Sequence, residues 1–198
     1  MALTESQMTA LGDPAPAFDL PAANPGVAEN PTSPNGHAGP RRALEDFAEA
    51  EALVVVFTCN HCPYAQHVEP ALVEMAREYQ ERGVAFVAIS ANDARSHPED
   101  SFENMAARAE EKSYPFPYLY DESQDVARAY GAACTPDFFV YGPERQLAYR
   151  GRFDATRPNK GTPTGDDLRA ALDDLLEKGA VEGEQHPSVG CNIKWRSD

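Results

Sequence analysis

The sequence predicts an α/β fold in which helices flank one central mixed sheet. Apolar, β-branched runs of strand length alternate with segments of helical periodicity through the middle of the chain. The last third changes to two strand-like runs joined by a turn signal and followed by a helical segment. Alternating strands and helices favour parallel strands, and a tight turn favours an antiparallel pair, so the sheet is expected to be mixed.

The elements before residue 51 are weakly indicated. Residues 17–20 are predicted to form a short edge strand, and residues 43–50 a short helix that turns Leu44 and Phe47 inward. Residues 22–40 are rich in Pro, Gly and Asn, which is the chemistry of turns and loops. We expect this stretch to be a surface loop.

The strongest strand signal is the uninterrupted apolar run at residues 53–57, which is typical of a strand covered on both faces. Pro63 suits the first turn of a helix, and apolar residues then recur at helical spacing to near Gly83. Residues 84–90 form a second apolar run. Strand, helix and strand in this order predict a βαβ unit with two parallel strands.

An inserted helix, strand and helix are predicted next. The first helix is expected to run from residue 97 or 101 to residue 112, because Ser96 and Glu99 have capping-box spacing. Residues 116–120 are predicted as a short strand and residues 123–130 as a short helix.

The final third predicts a hairpin and a closing helix. Residues 137–141 and 146–150 are strand-like runs separated by Gly142-Pro143, which is a turn signal. Apolar residues at helical spacing over residues 168–175 predict the closing helix. The tail, residues 179–198, is expected to pack on the domain through its apolar side chains.

Composition restricts the class of protein. A chain of 198 residues with ordinary apolar and charged fractions is expected to fold as a single domain, residues 1–198. Its 17 basic and 32 acidic side chains give a formal charge of −15, which argues against nucleic acid or an anionic membrane as a partner. The first six residues lack the basic and apolar regions of a secretory signal, and four cysteines are too few for a disulfide scaffold. We therefore expect a cytoplasmic protein.

The chemistry is concentrated in a C-x-x-C pair, Cys59 and Cys62, which lies between the first strong strand and the helix after it. A helix that begins here directs its free backbone amides and positive dipole end at the sulfurs, which favours the reactive thiolate. Zinc sites share this spacing, so a zinc- or copper-binding site with a histidine is the alternative. However, His61 and His67 are six residues apart and point to different helix faces, and there is no second C-x-x-C.

Five segments resemble one family. They are the dithiol segment Cys-Asn-His-Cys-Pro at residues 59–63, the Thr135-Pro136 pair before the hairpin, the N-terminal Gly-Asp-Pro-Ala-Pro-Ala-Phe at residues 12–18, the inserted Pro-Phe-Pro-Tyr at residues 115–118, and Gly-Cys-Asn-Ile-Lys-Trp at residues 190–195. With the order of elements, these resemble the thioredoxin-like superfamily, in its redoxin branch (AhpC/TSA, TlpA/ResA-like). Bacterial members of this kind are labelled thiol-disulfide isomerases. The resemblance implies a thioredoxin fold with an inserted helix-strand-helix and an N-terminal extension.

The resemblance also implies an activity, that of a thiol-disulfide oxidoreductase of the reductase or isomerase type. Cys59 is then the attacking thiolate and Cys62 the resolving thiol that releases a mixed disulfide. No cofactor or metal is expected beyond the redox-active Cys59–Cys62 disulfide. The expected partners are protein or small-molecule thiols and disulfides, with a thioredoxin-type reductant.

Two further pairs of residues have implied roles. His61, with Asn60 beside it, is expected to tune the thiolate, since a protonated histidine stabilises a neighbouring sulfur anion. The alternative is a solvent-facing histidine that contributes little. Thr135 and Pro136 are expected to form a cis peptide bond whose backbone binds an extended substrate, and an ordinary trans bond is the alternative.

The sequence departs from related families at two points. Thr58 and Leu53 stand where thioredoxins have a Trp and a proton-transferring acid, so proton transfer must use water or another group. Ala52 and Val56 stand where peroxiredoxins have the Pro and Thr/Ser of their peroxidatic motif. An antioxidant thiol peroxidase is therefore kept only as an alternative.

The other two cysteines are candidate auxiliary thiols. Cys134 adjoins the Thr-Pro pair, where it is an extra redox partner or a small buried hydrophobe. Cys191 lies in the tail. A Cys134–Cys191 disulfide stays open, because spacing alone does not determine connectivity.

Overall fold

A computed structural model describes residues 3–27 and 41–197. Residues 28–40 of the predicted loop lie outside the described residues. None of the helices in these two ranges combines the length and the apolar composition that crossing a bilayer demands.

The described strands are β1 (Leu3–Glu5), β2 (Asp19–Pro21), β3 (Arg41–Ala43), β4 (Ala52–Phe57), β5 (Val84–Ser90), β6 (Tyr118–Tyr120), β7 (Cys134–Thr135), β8 (Asp137–Tyr141), β9 (Leu147–Gly151) and β10 (Val189–Asn192). The described α-helices are α1 (Pro63–Gln80), α2 (Phe102–Glu111), α3 (Asp125–Tyr130) and α4 (Asp166–Lys178).

The central sheet has five strands in the order β6-β5-β4-β8-β9. β4 and β6 run parallel to β5, whereas β8 is antiparallel to β4 and β9. Helices α1, α2 and α4 pack on one face, while α3 and the N-terminal segment cover the other. Every residue of β4 and β5 is buried, because both faces are covered. The predicted α/β thioredoxin fold with a mixed sheet is confirmed.

The N-terminal elements differ from the prediction. The strand predicted at residues 17–20 lies at Asp19–Pro21 and pairs with β3 in a separate two-stranded sheet, not at the edge of the central one. The helix predicted at residues 43–50 is a single 3-10 turn, Leu44–Phe47. The carboxylate of Asp46 accepts a hydrogen bond from the backbone of Ala43 at 2.9 Å, and this local capping suits a short turn.

The predicted cap at Ser96 and Glu99 is wrong. Helix α2 begins one turn later, where Ser101 Oγ accepts a hydrogen bond from the backbone N–H of Asn104 at 3.4 Å. The residues before it, Pro98–Asp100, form a separate 3-10 turn. This turn carries the buried side chain of Asp100, which belongs to the site described below.

The C-terminal tail contributes a strand of its own. β10 lies between β1 and β7 in a three-stranded antiparallel sheet, with Cys191 opposite Thr135. Gly190 allows a very close approach, because a Cβ atom there would lie 2.0 Å from the carbonyl oxygen of Thr135. The tail is thereby held against the end of the central sheet where the dithiol lies.

We expect Gly190→Ala to destabilise the protein by about 1–3 kcal/mol or more, since its methyl group would collide with backbone that does not rotate away. Urea unfolding followed by circular dichroism measures this change. Gly26→Ala is the matched control, because a Cβ atom at Gly26 meets none of the described residues within 4 Å. Equal stability of the two variants would contradict the close packing of β10.

Candidate active site

The dithiol lies where the central strand passes into the first long helix. β4 ends at Phe57, and Cys62 is the extended N-cap residue of α1, followed by Pro63 in the first turn. Proline suits this position because its missing N–H is not needed there. Cys59 is 4% exposed and Cys62 is fully buried. Both are free thiols, so the structure describes the reduced pair.

Thr135 contacts both sulfurs of the pair. The Thr135–Pro136 peptide bond is cis. The hydroxyl oxygen of Thr135 lies 3.5 Å from Cys59 Sγ, and its carbonyl oxygen accepts a hydrogen bond from the Cys62 thiol at 3.1 Å. Thr135 therefore reaches one sulfur through its side chain and the other through its backbone.

The pKa values of the two thiols depend on each other. The hydrogen bond with Cys62, burial and the Asp100 carboxylate raise the pKa of Cys59, while the Thr135 hydroxyl opposes them. The same hydrogen bond, from Cys59, lowers the pKa of Cys62. The Thr135 carbonyl oxygen, however, only accepts hydrogen bonds, so it favours a proton on Cys62. The opposite shifts therefore belong to the two thiols together, and the pair titrates as one unit.

A buried carboxylate organises the loop between the cysteines. Asp100 accepts hydrogen bonds from the backbone N–H groups of Asn60 at 2.8 Å and His61 at 3.2 Å. Its other oxygen lies 2.6 Å from Nδ1 of His61 and accepts a bond from Nδ2 of Asn92 at 2.7 Å. These four hydrogen bonds fix the loop and orient the imidazole ring. The sequence analysis missed Asp100, because it placed this segment in a helix cap.

His61 is not the solvent-facing residue of the alternative interpretation. Its side chain is only 15% exposed, and its ring stacks on His97 with centroids 5.0 Å apart. Nδ1 is the donor to the Asp100 carboxylate, which leaves Nε2 buried and without a hydrogen-bond partner among the described residues. A carboxylate that holds one imidazole nitrogen in this way fixes the ring tautomer and the orientation of the ring.

Asn60 supports the loop from three sides. Its side chain accepts a hydrogen bond from the Tyr118 hydroxyl at 3.1 Å and donates one to the carbonyl of Glu99 at 2.9 Å. Its own carbonyl accepts a bond from the side chain of Gln66 at 2.7 Å. These contacts hold the loop in place, and none of them reaches a sulfur atom.

One group of side chains has the composition of a metal site. Cys59, His61 and Asp100 each place one ligand atom within 4.8 Å of the others. The Asp100 oxygens already accept four hydrogen bonds, so a metal ion would have to displace some of them. His67 does not join the group, because its Nε2 lies 2.9 Å from the hydroxyl of Thr156.

The two remaining cysteines lie in different surroundings. Cys134 is fully buried, with its sulfur 3.7 Å from the Pro136 carbonyl, and burial raises its pKa. Cys191 lies in one small apolar cluster with both cysteines of the dithiol. Burial, followed by the neighbouring thiol of Cys62, raises the pKa of Cys191 to about 12. The structure therefore directs Cys191 towards Cys62, and the Cys134–Cys191 disulfide is not formed.

A second buried acid was missed by the sequence analysis, which took it as the first residue of a strand. Asp137 pairs across the sheet with Phe57. Phe57 stands two residues before Cys59 in the chain. It is fully buried, and one carboxylate oxygen has no partner among the described residues. Burial raises its pKa well above the usual range. This acid lies close to the Thr135-Pro136 turn. Leu53, which stands where thioredoxins have their proton-transferring acid, is an apolar residue of the core.

The fold and the paired thiols define a thioredoxin-like thiol redox protein. The chain belongs to the AhpC/TSA family, which matches residues 11–150. No protein with a curated description matches the chain.

Two solved structures resemble the chain over nearly its full length. An uncharacterized conserved protein from Geobacillus kaustophilus is 48% identical with a TM-score of 0.89, covering 100% of this chain and 98% of that one. A hypothetical protein from Sinorhizobium meliloti 1021 is 44% identical with a TM-score of 0.89, covering 98% and 100%. The thioredoxin domain of a thiol-disulfide oxidoreductase from Bacteroides vulgatus shares the fold, at 19% identity and a TM-score of 0.61, covering 85% and 99%.

We expect Thr135→Val to move the pH profile of Cys59 alkylation upwards by about half to one pH unit, because one hydrogen bond to the sulfur is lost. The direction follows from the Thr135 hydroxyl, which lowers the pKa of Cys59. The measurement is the rate of iodoacetamide reaction against pH.

Thr135→Ser is the matched control, since it keeps the hydroxyl and should keep the profile of the native protein. A Thr135→Val profile that coincides with the native one would show that the hydroxyl does not stabilise the Cys59 thiolate.

Proposed function

We propose that this protein is a thiol-disulfide oxidoreductase that works through the Cys59–Cys62 pair. The observation that carries the proposal is the contact of Thr135 with both sulfurs of a pair that lies at the start of a helix. Such a pair supplies a thiolate and a second thiol in reach of it, which are the two groups that disulfide exchange needs.

Cys59 is the residue that attacks the substrate, because it retains some exposure and Cys62 retains none. The Cys59 thiolate forms a bond to one sulfur of the substrate disulfide, and the other substrate sulfur leaves as a thiolate. Cys62, having lost its proton, then attacks Cys59 and releases the second substrate thiol. The products are the Cys59–Cys62 disulfide and a substrate reduced by two electrons.

Access to the site restricts the substrate. The backbone of Thr135, predicted to bind an extended peptide, already pairs with Cys191 in β10. A cavity of ≈ 50 Å³ lies beside Pro136 and is lined in part by Tyr64 and Val189. Because β10 already occupies the backbone of Thr135, a small-molecule disulfide or a flexible cysteine-containing segment is a better candidate substrate than an extended peptide. A thioredoxin-type reductant in the cytoplasm is the expected electron donor.

His61 and Asp100 set the potential in this proposal. A protonated His61 held by the Asp100 carboxylate would stabilise the thiolate form and make the couple more oxidising. The negative charge of Asp100 itself acts in the opposite direction on Cys59. The balance of the two determines whether the protein reduces, isomerises or forms disulfides.

Peroxide reduction is a less well supported activity. The family contains the thiol peroxidases considered above, but the segment before Cys59 has Val56 where their motif has Thr or Ser. Thr135 supplies a hydroxyl near Cys59 from another part of the chain. It also contacts Cys62 through its carbonyl, which suits a dithiol better than a single peroxidatic cysteine.

Metal binding is the second candidate function, and one observation favours it: the proximity of Cys59, His61 and Asp100. Zinc accepts thiolate, imidazole and carboxylate ligands, which are the three that this group offers. Metal analysis of freshly reduced protein separates the candidates. One equivalent of zinc or copper that survives dialysis would contradict the oxidoreductase proposal.

We expect Cys59→Ser to lower the rate of glutathione disulfide reduction by about a thousandfold or more, since a serine hydroxyl is not nucleophilic at neutral pH without a base. Cys62→Ser should instead accumulate a mixed disulfide with glutathione on Cys59, detected by mass spectrometry. Cys134→Ala is the control and should keep the native rate. Full activity of Cys59→Ser would refute the proposal.

The reduction potential of the Cys59–Cys62 couple should identify the direction of electron flow. A potential near about −270 mV corresponds to a reductant, and one near about −120 mV to an oxidant. We expect His61→Ala to make the potential more negative, because the imidazole no longer stabilises the thiolate. Equilibration with glutathione buffers measures both proteins. An unchanged potential would remove His61 from the tuning of the pair.

A further inference from the structure

Cys62 has two thiol neighbours in this structure. Cys59 is three residues before it in the chain, and Cys191 reaches it from the C-terminal strand. The three cysteines pack together with Ala65 in one small apolar cluster. Cys62 and Cys191 perturb each other's pKa, as Cys62 and Cys59 do. The proposed mechanism uses only the second of these contacts.

The position of Cys191 is built into the backbone. β10 pairs with β7 so that Cys191 stands directly opposite Thr135, the residue whose carbonyl accepts the Cys62 thiol proton. Gly190 has no side chain, which lets the strand come within contact distance of that carbonyl group. The strand therefore occupies the backbone edge that the sequence analysis assigned to a substrate, and it presents a cysteine there.

We propose that Cys191 is a third redox-active thiol, which exchanges with the Cys59–Cys62 disulfide to form a Cys62–Cys191 disulfide and release Cys59. The inference rests on the proposed function, because it begins from the disulfide which that function generates. In this exchange, β10 acts as an internal substrate.

The exchange needs no further oxidant or reductant. The Cys191 thiolate attacks Cys62 Sγ, the bond between Cys62 and Cys59 breaks, and its electron pair leaves on Cys59. The proton lost by Cys191 is balanced by one gained on Cys59. Two thiol-disulfide states of equal oxidation level are thus interconverted, and only the position of the disulfide changes.

Oxidation itself prepares Cys191 for this step. In the reduced protein, burial comes first among the causes that raise its pKa, followed by the hydrogen bond and the charge of Cys62. Both effects of Cys62 vanish when that sulfur enters a disulfide. The positive charge of Lys194, which favours the thiolate of Cys191, remains.

The shifted disulfide has two consequences for the site. It restores a thiol on Cys59, the more exposed cysteine of the pair, while the protein stays oxidised. It also ties β10 covalently to the N-terminus of α1 and so closes the backbone of Thr135 to any extended peptide. The oxidised protein would then accept only small thiols or disulfides at Cys59.

The test is the location of the disulfide in the oxidised protein. The protein is oxidised with diamide, unreacted thiols are blocked with iodoacetamide, and tryptic peptides are analysed without reduction. Trypsin separates residues 43–77, with Cys59 and Cys62, from residues 179–194, with Cys191. We expect these two peptides to be cross-linked, with the alkyl group on Cys59.

Two variants make the result specific. Cys191→Ala should abolish the cross-link and leave only the Cys59–Cys62 disulfide, whereas Cys134→Ala, the matched control, should keep the cross-link. Cys59→Ser should form Cys62–Cys191 directly on oxidation, which tests the contact independently of the first disulfide and of the folding of the Cys191 variant.

Three outcomes would overturn the inference: only Cys59–Cys62 in the oxidised native protein, a Cys191 cross-link to Cys134, or no disulfide in Cys59→Ser. They are distinct from a failure of the proposed function, in which Cys59→Ser would retain glutathione disulfide reduction. If glutathione disulfide reduction requires Cys59 and the cross-link to Cys191 is nevertheless absent, the oxidoreductase proposal survives and the role of Cys191 is refuted.

Discussion

The hydrogen bonding of Thr135 is the constraint on which the rest of the site depends. Its hydroxyl lies against Cys59, its carbonyl accepts the Cys62 thiol, and its backbone pairs with the strand that carries Cys191. The next peptide bond in the chain, between Thr135 and Pro136, is cis. Because a single residue touches all these groups, a movement of β7 changes the protonation of the dithiol, the position of the tail and the access of substrate together.

Ionisable side chains surround the dithiol and Thr135. Asp100 uses both oxygens to hold the loop between the cysteines, so its negative charge lies close to the sulfur that must become an anion. A protonated His61 on the same carboxylate would offset that charge. Asp137 is a second buried acid next to the Thr135-Pro136 turn, and burial raises its pKa. The chemistry of the pair thus depends on acids that come from outside the C-x-x-C segment.

The sequence analysis was accurate where a physical signal is local. The buried runs of β4 and β5, the helix from Pro63 and the hairpin after Thr135 all follow from periodicity and turn chemistry, and all are present. At the start of α2 the later of the two predicted positions, residue 101, is confirmed and the cap at Ser96 is wrong, because both serines suit a helix cap and local spacing does not choose between them. It also overextended the helix predicted at residues 43–50, which is the single 3-10 turn Leu44–Phe47.

For the site, the sequence by itself determined the dithiol, its place between a strand and a helix, and the Thr135-Pro136 pair that faces it. These follow from short motifs whose meaning depends on neighbouring residues. Only the tertiary structure decided that Asp100 holds His61, and that Cys191 meets Cys62 while Cys134 does not. The partners in those contacts are separated by dozens of residues, and their approach depends on strand register and on a glycine without a Cβ atom. Neither leaves a periodic signal in the chain, so packing alone brings the third sulfur to the first two.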